Sequence, residues 1–305
     1  MNADAPVERQ AEGVTFFFFR EYVWHRVSDR EGEPFVKVRL LRCPGDKWIK
    51  HLALASDPRL FPYLPETDLF SIEAFLRFME KYSAVFVKPV LGGGGRGVIR
   101  AERSTEGGGC LLRTPQGDMP FPDEHNAALW LKTKSRGRRY LVQQAVDLLR
   151  WRDRPIDIRV LLHFDSPEHS SAAKKRWRVL GMIGKIAAPG AYVTNRRRGG
   201  RAVPLFRVLK VTGVAASELE VAEWERRLAA FSLLVAETLK LRFPRIEELG
   251  LDIAVDTTRR IWLLEANTRP RFQLFRHHPD PRLYAAISAA TRKLRARHRS
   301  DIMRL

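Results

Sequence analysis

The sequence contains only two cysteines, Cys43 and Cys110, and its eight histidines show no metal-binding spacing. This pattern excludes a disulfide framework and a Cys/His zinc site, and it fits a reducing compartment. Long apolar runs are also missing, since the run Val14–Phe19 is far too short to span a bilayer. We therefore expect a cytoplasmic protein with no membrane span and no signal peptide.

Acidic residues are few, because 35 Asp and Glu stand against 54 Lys and Arg and give a net charge of +19. A field of this sign attracts anionic small molecules and polyanions. Much of the excess lies in Arg136–Arg139, Lys174–Arg178, Arg196–Arg201 and Arg292–Arg299. Nucleic acid binding is an alternative, but these clusters lack regularly interleaved aromatic residues, which argues against it.

The remaining pattern mixes β-branched runs with amphipathic spacing and predicts an α+β fold. Val14–Val27 and Pro34–Leu41 predict a short amino-terminal β-hairpin. The longest predicted helix, Ser217–Lys240, is expected to turn Leu219 and Trp224 inward. Further predicted helices are Asp46–Ala55, Ile72–Tyr82, Pro122–Lys134 and Pro281–Arg299, and further strands are Ala84–Val90, Leu111–Phe121 as a hairpin, Tyr140–Val146, Asp157–Leu162 and Trp177–Ala187.

The loop Gly92–Gly97 contains five glycines in six positions. In a simple turn this would be costly in conformational entropy, whereas a backbone that wraps around phosphate oxygens needs residues without Cβ. The loop lacks the G-K-[ST] ending of a P-loop, and a strand rather than a helix is predicted after it. We interpret it as a flap over a triphosphate, with Lys88 as a nearby point charge; a flexible surface loop is the alternative.

The runs Leu251–Val255 and Ile261–Leu264 predict a hairpin with three oxygen-bearing side chains at its ends, Asp252, Glu265 and Asn267. Glu265 and Asn267 share a strand face, because alternate side chains point the same way. Two carboxylates and an amide suit Mg²⁺, which is usually completed by water and substrate phosphates. An ordinary hairpin with charged ends is the alternative.

Taken in order, these motifs resemble the ATP-grasp fold of the YheC/YheD family of endospore-coat-associated proteins and, more distantly, RimK-like glutamate ligases. The resemblance covers residues 45–285. The residues that carry it are Lys47–Trp48, Leu64–Thr67, Phe86–Pro89, Gly92–Gly97, Leu141–Gln144, Asp157–Arg159, Thr194–Asn195, Gly199–Gly200, Leu249–Asp252 and Glu265–Asn267.

The resemblance implies two α+β lobes that clasp ATP. Residues 1–45 would form a short β segment, 46–140 the first lobe with the flap, 141–285 the second lobe with the Mg²⁺ site, and 286–305 a basic helix or tail. It also implies residues that contact ATP: Lys47, Lys88, the flap Gly92, Gly93, Gly94, Gly95, Arg96 and Gly97, the adenine hinge Gln143, Gln144 and Ala145, which acts largely through backbone groups, and Lys185.

For catalysis, the resemblance implies that Arg159, Asn195 and Arg198 lie near the γ-phosphate and the acceptor, and that Asp252, Glu265 and Asn267 bind Mg²⁺. The implied activity is a carboxylate-amine or carboxylate-thiol ligase that forms an acylphosphate on an anionic substrate. Asp157 could act as a base or could orient Arg159. The alternative function is an ATP-binding assembly protein without turnover, associated with a spore coat or another anionic polymer.

Overall fold

The computed structural model describes residues 7–11, 14–18, 22–25, 36–39, 45–104, 109–165, 176–194 and 199–302. Four short amino-terminal strands pair in sequence order as an antiparallel sheet. They are β1 (Val7–Ala11), β2 (Val14–Phe18), β3 (Tyr22–His25) and β4 (Val36–Arg39).

The predicted amino-terminal hairpin is present as β3 and β4, within this larger sheet. The first predicted run, Val14–Val27, contains two strands that pair with each other, β2 and β3. Polar Arg20 and Glu21 separate these strands in the sequence. The apolar pattern did not predict β1, because three of its five residues are polar.

Helix α1 (Lys47–Ala55) confirms the first predicted helix and has Asp46 as its N-cap. The Asp46 carboxylate accepts a hydrogen bond of 3.0 Å from the backbone N–H of Ile49, as an N-cap does. Trp48, Ile49 and Leu52 are buried on one face of the helix.

Six antiparallel strands form the second sheet: β5 (Thr67–Leu69), β6 (Ala84–Pro89), β7 (Ile99–Arg103), β8 (Cys110–Thr114), β9 (Gly117–Phe121) and β10 (Tyr140–Gln144). Their order across the sheet is β5-β10-β6-β7-β8-β9. Helices α2 (Ile72–Lys81) and α3 (Glu124–Ser135) pack on the face that carries Val87 and Val142. Because side chains alternate along a strand, Lys88 and Gln143 lie on the opposite face.

The third sheet contains β11 (Arg150–Trp151), β12 (Arg154–Asp165), β13 (Arg176–Ile186), β14 (Arg201–Pro204), β15 (Glu248–Val255) and β16 (Ile261–Asn267). Five strands follow the antiparallel order β14-β13-β12-β15-β16, and β11 pairs with β12. Helices α4 (Leu205–Val211) and α5 (Glu218–Arg242) follow β14.

The core of the third sheet joins α1 and α5 to β12, β15 and β16. Leu52 of α1 and Leu228 of α5 belong to one buried cluster with Ile158 and Leu251. Helix α1 thus packs in this core, although it precedes the second sheet in sequence. The division of the chain at residues 45, 140 and 285 stays a prediction.

Helix α6 (Pro281–Ile302) lies against the third sheet together with a 3₁₀ turn at Gln273–His277. Ile287 and Phe275 form a small buried cluster there with Leu161 and Ile183. Among the residues that the structure describes, no helix combines the length and the apolar character needed to cross a membrane.

Candidate functional site

An open cleft lies between α1, the second sheet and β16. Three lysines and one carboxylate, Lys47, Lys50, Lys88 and Glu265, line it. Its other walls are mainly apolar. The remaining lining residues are His51, Leu54, Leu64, Thr67, Leu141, Gln143, Leu263, Leu264 and Ala266. The cleft therefore offers a positive end for an anionic group and an apolar part for a ring.

Helix α1 supplies one wall of the cleft because Lys47, Lys50, His51 and Leu54 follow helical spacing and share a face. The Lys47 ammonium donates to the carbonyls of Gly92 at 2.7 Å and Pro89 at 3.1 Å. It also lies 3.7 Å from the Glu265 carboxylate. Lys47 therefore connects the base of the glycine loop to the end of β16.

Lys50 is buried, and its ammonium donates to the carbonyl of Ala266 at 2.5 Å. Burial lowers the pKa of Lys50 to about 8, although Glu265 acts in the opposite direction. Burial, assisted by the charge of Lys88, also lowers the pKa of His51 to about 4. The His51 imidazole, stacked on Trp48 with ring centroids 5.7 Å apart, is therefore neutral at pH 7.

Lys88 enters the cleft from β6, and its ammonium donates to Oε1 of Gln143 at 2.6 Å. Burial lowers the pKa of Lys88 to about 8, while the charge of Glu265 raises it and that of Lys47 lowers it further. The ammonium is thus held in an environment that disfavours its charge until an anion arrives.

A row of charged side chains crosses one face of the third sheet next to the cleft. Asp157 pairs in register with Lys185, Arg159 with Asp252, and Asp252 with Glu265. Directly paired residues of antiparallel strands share a face. The row therefore connects β13, β12, β15 and β16 on the side opposite the apolar core.

Within this row, Arg159 binds the Asp252 carboxylate through two hydrogen bonds of 2.8 and 3.0 Å. The Lys185 ammonium lies 2.8 Å from Asp157 and 2.7 Å from Asp252. Burial opposes ionisation of Asp252, but Arg159 and Lys185 outweigh it and hold the Asp252 pKa below its ordinary value. Burial raises the pKa of Asp157, partly offset by Lys185.

Asp157 also accepts a hydrogen bond from the Thr194 hydroxyl. The structure gives Asp157 contacts with Lys185 and Thr194, whereas the sequence led us to consider Arg159 as its partner. Arg159 instead turns to Asp252 on the neighbouring strand. Gly250, on the same strand as Asp252, permits the close approach of Pro270, because a Cβ there would lie 2.5 Å from Cβ of Pro270.

The predicted Mg²⁺ ligands have suitable chemistry and partly suitable placement. Asp252 and Glu265 lie opposite each other, and Asn267 follows on the same strand as Glu265. Glu265 is partly exposed at the cleft, whereas the Asp252 oxygens accept hydrogen bonds from Arg159 and Lys185. In the described part of the chain, no three His, Cys, Asp or Glu side chains are grouped to hold a metal ion.

The glycine loop connects β6 to β7, as a flap between antiparallel strands requires. Gly92, Gly94, Gly95 and Gly97 all have positive φ, between 68° and 114°, a conformation that side chains with Cβ rarely adopt. Arg96 is exposed within the loop. Glycine is therefore needed for the shape of this loop.

A family model described as YheC/D like ATP-grasp matches residues 41–292. The chain belongs to this ATP-grasp family. Endospore coat-associated protein YheD of Bacillus subtilis (strain 168) is 29% identical over 256 residues, which cover 81% of this chain and 52% of YheD. Endospore coat-associated protein YheC of the same strain is 26% identical over 245 residues, which cover 77% of this chain and 62% of YheC.

The chain thus spans between about half and two thirds of the length of these two relatives. Among solved structures, the D-cycloserine synthetase DcsG is similar with a TM-score of 0.47 and 16% identity. That alignment covers 82% of this chain and 71% of DcsG.

In this ATP-grasp chain, four of the predicted site residues line the cleft: Lys47, Lys88, Gln143 and Glu265. Arg159, Lys185 and Asp252 form the adjacent buried row. Asn195 and Arg198 lie outside the described residues. The roles of all these residues stay predictions.

The predicted adenine hinge is only partly placed at the cleft. The backbone N–H of Gln144 donates to the Glu66 carbonyl at 2.9 Å, and that of Ala145 to the Ala84 carbonyl at 3.2 Å. Both donors thus pair with backbone carbonyls, and only Gln143 of the three hinge residues is among those that line the cleft. The contact of these residues with adenine stays a prediction.

No site role was predicted from the sequence for several lining residues, above all Lys50, His51 and Thr67. The spacing of Lys50 and His51 from Lys47, three and four residues, places them on one helix face and could have indicated them. Leu141 precedes Gln143 by two residues, so strand alternation could have indicated it as well. Leu263 could not be found in this way, because the register of β15 and β16 shifts after the Asp252–Glu265 pair and places Leu263 opposite Ile253.

Proposed function

We propose that this chain binds Mg·ATP in the lysine cleft and acts as an ATP-dependent ligase that joins a carboxylate to an amine or another nucleophile. The observation that carries the proposal is the convergence of Lys47, Lys50 and Lys88 with Glu265 in one cleft. The lysines suit a polyphosphate, and apolar side chains such as Leu141 and Leu263 suit a base. Membership of an ATP-grasp family supports ATP as the nucleotide.

In the proposed reaction, a carboxylate oxygen of the substrate attacks the γ-phosphorus of ATP, the bond to the bridging oxygen breaks, and ADP leaves. An amine then attacks the acyl carbon, phosphate leaves and the amine loses a proton. Such a transfer depends on positioning and on neutralising charge. Lys47 and Lys88 would bind phosphate oxygens, and Arg159, fixed on Asp252, would face the transferred group.

Mg²⁺ would be held by Glu265 and Asn267, with Asp252 as a third ligand, because these are the hard oxygen donors beside the cleft. When bound, the ion supplies further neutralisation of phosphate charge. Before the ion binds, Arg159 and Lys185 would keep the Asp252 carboxylate ionised.

A second candidate function is an ATP-binding assembly protein that does not turn over. It is favoured by the names of YheD and YheC, which describe both relatives as endospore coat-associated. In this case nucleotide and Mg²⁺ would order the protein for association with an anionic polymer, consistent with the net charge of +19.

Calorimetric titration with Mg·ATP tests the site, using Lys88→Met, Glu265→Gln and, as a matched control, Lys132→Met on an exposed face of α3. We expect both cleft variants to bind more weakly than the wild type and the control to bind normally. Wild-type affinity in both cleft variants contradicts the assignment. ADP release that requires a carboxylic acid and an amine together supports the ligase, whereas binding without turnover for any acceptor supports the assembly protein.

A further inference from the structure

Gln143 is 7% exposed and both ends of its side-chain amide are engaged. Its Oε1 accepts the hydrogen bond of 2.6 Å from the Lys88 ammonium, and its Nε2 donates to Oγ1 of Thr67 at 2.7 Å. The Thr67 hydroxyl in turn donates to the carbonyl of Pro65 at 2.8 Å. These three hydrogen bonds form a chain from Lys88 to the backbone at Pro65.

The direction of this chain is fixed by chemistry. A lysine ammonium only donates, so the oxygen of the Gln143 amide must face Lys88 and its nitrogen must face Thr67. The Thr67 hydroxyl uses its single hydrogen for Pro65, so its oxygen is left to accept from Gln143. Each of the three hydrogen bonds therefore joins one donor to one acceptor, and only this orientation of the Gln143 amide satisfies both of its neighbours.

The strand order explains why Gln143 can do this. β10 lies between β5 and β6, and Gln143 is paired directly with Thr67 on one side. On the other side Lys88 is paired with Leu141, two residues before Gln143. The side chain therefore reaches Lys88 diagonally on the same sheet face.

We propose that Gln143, held by Thr67, is a positioning residue that fixes the Lys88 ammonium in the cleft before the nucleotide binds. One N–H of Lys88 is used for Gln143, which leaves two for phosphate oxygens. A lysine side chain is flexible, so fixing it before the nucleotide binds reduces the conformational entropy that is lost on binding. This inference rests on the proposed nucleotide site and adds the residues that prepare its lysine.

A double-mutant cycle with Gln143→Leu and Lys88→Met tests the proposal, with affinity for Mg²⁺ and the non-hydrolysable analogue AMP-PNP measured by calorimetry. We expect Gln143→Leu to weaken binding about tenfold, as loss of a hydrogen bond to a charged group does. In the Lys88→Met background the same change should have no further effect, because Gln143 acts through Lys88. Additive losses, or wild-type affinity in Gln143→Leu, overturn the proposal.

Two variants of Thr67 and one control variant separate positioning from folding. Thr67→Val removes the acceptor that holds Gln143 while Gln143 and Lys88 stay unchanged, and it should weaken nucleotide binding about threefold. Thr67→Ser keeps the hydroxyl and should bind the nucleotide as the wild type does. Gln116→Leu makes the same glutamine change at an exposed turn and controls for the substitution itself. Equal affinities of Thr67→Val and Thr67→Ser contradict the proposal.

The outcome also distinguishes this inference from the proposed function. A wild-type protein that binds no Mg·AMP-PNP overturns both. A wild-type protein that binds, with a Gln143→Leu variant that binds equally well, overturns only the role of Gln143.

Discussion

Replacing Lys88 by methionine is expected to stabilise the ligand-free protein while it weakens nucleotide binding. Burial holds the pKa of Lys88 at about 8 instead of the ordinary 10.5. This difference corresponds to about 3 kcal/mol at neutral pH, since a tenfold change in proton affinity is worth about 1.4 kcal/mol. Methionine keeps most of the aliphatic length and removes the charge. The Lys88 ammonium therefore lowers the free energy of unfolding when no anion is present.

The variant Lys88→Met should gain only part of this stabilisation. Without Lys88, Oε1 of Gln143 loses the donor that lies 2.6 Å away, and a buried acceptor left unpaired costs about 1–3 kcal/mol. The double variant Lys88→Met/Gln143→Leu removes this acceptor as well. We therefore expect the double variant to be the most stable of the three proteins, Lys88→Met to be intermediate, and the wild type to be the least stable.

The stability difference between the variants and the wild type should depend on pH. Between about pH 8 and pH 10.5 the unfolded chain binds more protons at Lys88 than the folded chain, so the wild type gains stability as pH rises. The advantage of the variants is fully present below about pH 8 and is lost by about pH 10.5. Lys50 is present in all three proteins, and its pKa of about 8 is set mainly by burial, with the charge of Lys88 as the smallest cause. Most of its contribution therefore cancels in the comparison.

Urea unfolding followed by circular dichroism, at pH 7 and again at about pH 10, measures these differences. A double variant that is less stable than the wild type at pH 7 refutes the reasoning. So does an advantage of the same size at both pH values, because it would then come from packing and not from the buried charge.

Local signals in the sequence predicted most of the secondary structure. Helices α2 and α5 each follow a serine, Ser71 and Ser217, a residue type typical of N-caps, and each side chain accepts a hydrogen bond from the third residue of its helix. The strand that carries Lys88 and the hairpin that joins Asp252 to Glu265 are confirmed. These features depend on residues only a few positions apart, which is why one sequence was enough to find them.

The expectation that Leu219 faces inward was wrong, because its side chain is 83% exposed. The buried positions Val221, Trp224 and Leu228 define the inner stripe of α5. Leu219 lies two residues before this stripe, about 200° around the helix at 100° per residue. The sequence showed an apolar residue in the first turn but not which side of that turn would meet the core.

The cleft could be predicted only in part, because its walls come from distant parts of the chain. Lys50 contacts the Ala266 carbonyl across 216 positions, and no local pattern connects the two residues. The Asp157 contacts were missed for a related reason. Sequence proximity suggested Arg159, which shares its strand, whereas the sheet register brings Lys185 from the neighbouring strand instead.

Three more predictions follow from the site. Affinity for Mg·ATP should fall as pH rises through about 8, because Lys88, facing Glu265, Lys47 and Asp252, loses its proton. In Lys88→Arg, affinity measured by calorimetry should change less with pH, and an identical pH dependence in the wild type and the variant contradicts this. Mg·ATP should protect Gly92–Gly97 from proteolysis, and equal cleavage with and without it argues against a flap over the nucleotide. Lys185→Met should lower the free energy of unfolding by about 3–5 kcal/mol, because it leaves Asp157 and Asp252 buried without their shared cation. Adding Asp157→Asn should recover part of this loss in urea unfolding, since Asp252 keeps its two hydrogen bonds from Arg159 and only the Asp157 charge is removed. If the double variant is no more stable than Lys185→Met, the ion pair with Asp157 does not stabilise the row, and Lys185 acts through Asp252 alone.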